Sequence, residues 1–136
     1  MTPEDRRKQQ RDNQNYFSSK ISELTRYMSF GICAVSYAVL SSDSTFATDL
    51  KASSMWLLLV TALSGSVAII LDYGQYICGW LAASIAAENK KGEYQRTELG
   101  AKLNSVQEVL FVIKQIFVGF GSIILITAVG SKVLGS

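Results

Sequence analysis

Three apolar runs divide the chain, and the polar stretches between them differ in kind. The central run, Trp56 to Leu71 (WLLLVTALSGSVAIIL), carries no charge; Met55 extends it and Asp72 closes it. With Ser53 and Ser54 it comes to roughly 19 residues, or about 28 Å of helix, close to one hydrocarbon thickness. A soluble core helix rarely stays apolar on every face for that length, so this stretch is expected to cross a membrane. The first run, Tyr27 to Leu40 (YMSFGICAVSYAVL), is shorter and reaches across with Ser41 and Ser42 or with local bilayer thinning. The third runs from about Ile116 to near Leu134. The expected membrane segments are 27–43, 54–72 and 115–133.

Between the first two runs, SSDSTFATDLK (41–51) is rich in Ser, Thr and Asp and reads as a loop, with Asp49 or Ser53 available to cap the next helix. After Leu71 the polarity changes but the helical pattern does not. Tyr73, Ile77, Trp80 and Ser84 or Ile85 keep helical spacing, and Gly92 after Lys90 and Lys91 suits a C-terminal cap. From Glu93, Leu99, Leu103, Val106, Leu110, Ile113 and Phe117 alternate spacings of four and three, a heptad seam. The first helix carries a similar seam in Phe17, Ile21, Leu24, Met28 and Gly31. At its start Thr2 can cap, Pro3 suits the first helical position, and Glu4 and Asp5 suit the positive end of the dipole.

These patterns predict a single domain over 1–136: an all-α integral membrane protein of three long helices, about 3–41, 53–91 and 93–133, running up, down and up. Each would span the bilayer and extend into the cytoplasm, where 3–26, 73–91 and 93–114 would form a helical stalk closed by the seams. Lys and Arg set the orientation. Arg6, Arg7, Lys8, Arg11, Lys20 and Arg26 precede the first span, and Lys90, Lys91, Arg96 and Lys102 lie between the second and third. The opposite side has only Lys51 and Lys132, which places the N-terminus in the cytoplasm and the C-terminus outside.

Folding the helices back on one another brings Arg26, Asp72 and Lys114 to one layer at the cytoplasmic boundary. Two readings apply to that layer. It is interfacial charge, paired and snorkelling, or it is a charged ring around a permeation path in an oligomer. Small residues give a second candidate. Thr61 with Gly65, Ser64 with Ala68, and Ala34 with Ala38 are spaced for close helix approach. Ser29 and Ser36, with Thr61, Ser64, Gly65 and Ser66, form either a helix-packing face or the lining of a pore.

Composition narrows the chemistry. The chain has 136 residues, 49% hydrophobic, and 13 basic against 11 acidic residues leave +2, so no overall field points to nucleic acid. There is no His, which removes the commonest general base and metal ligand. Neither a phosphate-binding glycine loop nor a CxxC, HExxH or GxSxG pattern occurs. No catalytic residue, cofactor or metal is expected. Cys33 and Cys78 fall at different depths and read as packing residues rather than a disulfide. The layout is similar in architecture, not in sequence, to small helical membrane effectors of bacterial defence modules, which implies a bacterial inner (plasma) membrane.

Two functions fit these features. One is a non-enzymatic, homo-oligomeric pore, channel or membrane-perturbing effector. The other is a structural anchor or scaffold whose cytoplasmic helices dock a protein partner. The lipid bilayer and further copies of the chain are the expected partners in both.

Overall fold

The computed structural model describes residues 3–88 and 98–134, and these form three helices: α1 (Pro3–Ser41), α2 (Thr45–Glu88) and α3 (Glu98–Leu134). The predicted cap at Gly92, the start of the third helix at Glu93 and the cap at Thr2 lie outside the described residues. α2 and α3 are long and apolar enough to cross a membrane, whereas α1 does not reach that level.

The turn between α1 and α2 is shorter than the expected loop over 41–51, because Ser44 is the better cap. Its Oγ accepts the Ala47 N–H at 3.3 Å, and its carbonyl accepts the Thr48 N–H at 2.9 Å. Lys51 Nζ closes the turn by donating to the Ser42 carbonyl at 2.7 Å. Residues 45–51 are therefore helical, and Ala47 and Leu50 are buried. The predicted helix start near Ser53 corresponds to a kink: Ser54 sits at φ −141°, ψ 25° inside α2. Ser53 Oγ donates to the carbonyls of Asp49 (3.0 Å) and Leu50 (3.3 Å) just before it, a side-chain bond of the kind that bends helices.

The helices run antiparallel in sequence order. Lys132 near the end of α3 meets Asp49 near the start of α2 at 3.2 Å. Gly74 faces Leu110 and Gly79 faces Gln107, so α2 descends as α3 rises. The α2–α3 interface is the most extensive, α1 leans mainly on α2, and α1 touches α3 least.

Two glycines set the closest approaches. A Cβ on Gly65 would lie 2.8 Å from Cys33 Sγ and 3.1 Å from the Ser29 carbonyl oxygen, so only glycine lets α1 and α2 approach this far. A Cβ on Gly121 would meet the Ser64 side chain across the α2–α3 interface.

The interior is built from a stripe that hydrophobicity alone would not select. On α1 the buried residues are Ser22, Thr25, Ser29, Ile32 and Ser36, each inner position one residue on from a member of the apolar seam or continuing that repeat. On α2, Leu58, Thr61, Ser64, Gly65, Ala68 and Asp72 face inward; on α3, Lys114, Val118, Gly121 and Ala128 do. One residue is about 100° of helix, so the heptad seams are turned outward. Phe17 and Leu24 are each 61% exposed, and Ile21, Leu99, Val106 and Ile113 are exposed as well; Leu103 and Leu110 are half-buried. The expectation that these seams close the stalk on itself is thereby corrected. Small Ser, Thr, Gly and Ala side chains permit close backbone approach, which larger seam residues would prevent.

Candidate functional site

The site begins with Asp72, at the inner edge of the α2 apolar run and turned toward both neighbouring helices. Its Oδ2 accepts from Arg26 Nε of α1 at 2.8 Å. Its Oδ1 accepts from Lys114 Nζ of α3, and more weakly from Ser22 Oγ at 3.5 Å. Lys114 is completely buried; its ammonium also donates to Ser22 Oγ at 2.7 Å and lies 5.6 Å from the Phe111 ring centroid. Arg26 keeps an exposed edge, donates through Nη2 to Tyr76 Oη, and stacks 5.0 Å from the centre of that ring. One carboxylate thus holds two cations from two helices.

The three charged residues singled out in the sequence are therefore in direct contact within one chain. Lys114 is sealed inside the bundle and Asp72 is nearly so. A charged layer facing a path between subunits would need these groups on the surface.

Below the cluster, Lys20 Nζ donates to Glu23 at 3.0 Å, both side chains about half exposed. The hydrogen bond and then the Coulomb attraction raise the Lys20 pKa and lower that of Glu23 from their ordinary values.

The Ser/Thr candidates are arranged differently. Ser29, Ser36, Thr61, Ser64 and Gly65 are buried between helices. Ser29 donates to the Thr25 carbonyl (2.7 Å), Thr61 to Leu57 (2.8 Å) and Ser64 to Thr61 (2.8 Å), so their hydroxyls are spent on their own helices. Ser66 is exposed, donates to the Ala62 carbonyl at 2.9 Å and lies 3.8 Å from Cys33 Sγ. Ser36 Oγ is buried without a partner among the described residues. Cys33 and Cys78 are free thiols.

Sequence reasoning missed the polar groove beneath the ion cluster. It has a volume of about 850 Å³ and is bounded by all three helices, through Ser18 and Ser22 of α1, Gln75 and Gly79 of α2, and Asn104 and Gln107 of α3. Gln75 Oε1 is a buried acceptor with no donor among the described residues. The available signal was periodic: Gln75 and Gly79 continue the inward stripe of α2 at spacings of three and four beyond Asp72. Amides and serines carry no apolar signal, so a hydrophobic criterion passes over these positions. Among the described residues no group of three or more His, Cys, Asp or Glu side chains could hold a metal.

Comparison with protein-family models, curated proteins and solved structures returns no match.

Proposed function

We propose that this chain is a non-enzymatic, three-span protein of a bacterial inner (plasma) membrane, with its N-terminus cytoplasmic and its C-terminus outside. It self-assembles and serves as a structural anchor for a protein partner. The observation that carries this reading is the distribution of exposed apolar side chains about the Arg26–Asp72–Lys114 layer. Above it, Phe30, Leu63, Ile70, Phe120, Ile123 and Ile126 point outward, as a lipid-facing surface requires. Below it, where the same reading places water, Phe17, Leu24, Trp80 and Val109 are exposed to a similar degree. Large apolar side chains exposed at that level suit an interaction site.

Three spans rather than two are supported by the packing of α1. Its inner face is Ser- and Thr-rich because it meets α2, and this lowers its mean hydropathy without putting polar groups into lipid. Self-assembly is supported by the heptads. α1 and α3 run parallel and are level where Ile32 approaches Gly121, which places Phe17, Ile21 and Leu24 at the heights of Val106, Leu110 and Ile113. Two outward seams in phase on parallel helices suit a head-to-tail contact from one copy to the next.

The anchor is preferred to the pore because four of the five hydroxyls that would line a path, those of Ser29, Ser36, Thr61 and Ser64, are packed inside the protomer. Mass determination and negative-stain imaging of the full chain in nanodiscs test the reading. A defined oligomer weakened by Leu24→Ser and Val109→Ser, with no conductance in planar bilayers, is expected. A monomer overturns the assembly, and steady conductance through a ring overturns the anchor in favour of a pore between protomers.

A further inference from the structure

The ion cluster contains more positive than negative charge. Among the described residues Asp72 is the one anion that Arg26 and Lys114 share, and Lys114 is wholly buried against that carboxylate, Ser22 and Phe111. The uncompensated charge therefore resides on Arg26, whose side chain is 36% exposed. Nε and Nη2 are committed to Asp72 and Tyr76; Nη1 has no protein acceptor among the described residues. Tyr27 and Tyr73, both exposed, follow Arg26 and Asp72 in sequence at this level, and the Tyr27 side chain is hydrogen-bonded to Glu23.

We infer that Arg26 is a phosphate-binding site at the cytoplasmic edge of the bilayer, and that its ligand is the headgroup phosphate of an anionic phospholipid. The free guanidinium edge supplies the charge-assisted donor. Asp72 faces the same guanidinium and opposes an anion, but its charge is already balanced by Lys114 in the interior. Glu23, one turn before Arg26, is bonded to Lys20, which balances its charge, and it feels Arg26 only as a smaller, secondary attraction. A phosphate would complete the cluster's neutrality where a buried or half-buried cation otherwise lacks a counter-charge. The inference rests on the membrane reading above, and the experiment separates the two.

The test uses the detergent-solubilised full chain with short-chain phosphatidylglycerol or phosphatidylcholine, counting bound lipid by native mass spectrometry. Phosphatidylglycerol is expected to be retained about fivefold better, the factor of one cation beside an anionic surface. Arg26→Gln should abolish that preference. Lys20→Gln, which removes the same charge from an exposed position, should keep it. Arg26→Gln leaves the Asp72–Lys114 pair intact, and unchanged circular dichroism verifies that the variant folds.

Equal retention of the two lipids, or a preference unaltered in Arg26→Gln, overturns the site. Inorganic phosphate is the third arm. If it displaces phosphatidylglycerol from the wild-type chain at comparable concentration, the phosphate site stands and its ligand is a soluble anion rather than lipid. Carbonate extraction from vesicles tests the underlying reading: a chain released from both lipid compositions removes the membrane assignment. A chain that resists extraction but shows no lipid preference removes the phosphate site alone.

Discussion

The two halves of this bundle, above and below the Arg26–Asp72–Lys114 layer, share the same helices and the same heptad phase but pack in different ways. Above it, Gly65 and Gly121 let the helices close around Ile32, Ala68 and Val118. Below it, the inward positions hold Gln75, Asn104 and Gln107 around an open groove, and residues 4–17 of α1 are exposed on every side. The difference teaches that inward-facing position is set by helix phase, while closeness is set by side-chain size. Small residues draw backbones together; amides at the same positions hold them apart and attract water.

The comparison breaks most readily at the layer that divides the halves. Asp72→Ala strands Lys114 as a buried, unpaired cation and is expected to lose about 3–5 kcal/mol, read as a lower midpoint in SDS titration. Adding Lys114→Met should restore much of the loss; if the double variant is as unstable as the single, the ion pair is not the cause. Next, Gly65→Val forces α1 and α2 apart at the Ser29 carbonyl, with an expected loss of about 1–3 kcal/mol in the same titration.

Ser36→Ala sharpens the picture from the other side. It removes an unpartnered buried hydroxyl in the upper half and should be neutral or stabilising by up to about 1 kcal/mol. Gly79→Ala in the lower half meets only the Gln107 side-chain amide, at 3.3 Å, which can give way. A gain of up to about 1 kcal/mol in helix propensity should then appear as a raised thermal midpoint, whereas a loss like that of Gly65→Val would show that the lower half is as tightly packed as the upper.

The smallest effect is at the Lys20–Glu23 pair. The pKa of Glu23 is lowered in the folded chain, so its contribution is present above the unfolded carboxylate value and fades as pH falls through the folded one. At half-exposed side chains it is screened, and Lys20→Ala should leave the thermal midpoint between pH 4 and 7 almost unmoved.

Much of this protein was legible from residue order. An uncharged run such as Trp56–Leu71 has few alternatives to a long helix, and α2 and α3 are both long and apolar enough to cross a membrane. The heights of Arg26, Asp72 and Lys114 followed from helical rise and antiparallel return, and direct contact among them needed only side chains long enough to bridge the gap. The start of α2 was less legible, because Asp49, Ser53 and Ser44 are all competent caps and only burial of Ala47 and Leu50 decided for Ser44.

What the sequence by itself determined was therefore periodicity, length and level. Which stripe faces inward was decided by tertiary structure alone. The seam through Phe17, Ile21 and Leu24 and the stripe through Ser22, Thr25 and Ser29 have the same heptad period, one residue apart. A hydrophobic criterion chooses the first, as it should in water. Above the charged layer, close contact between small side chains at Gly65 and Gly121 decides the rotation, and the unbroken helix carries that phase down to Phe17, Ile21 and Leu24, which it leaves outward. The groove and the outward seams are two consequences of that single choice.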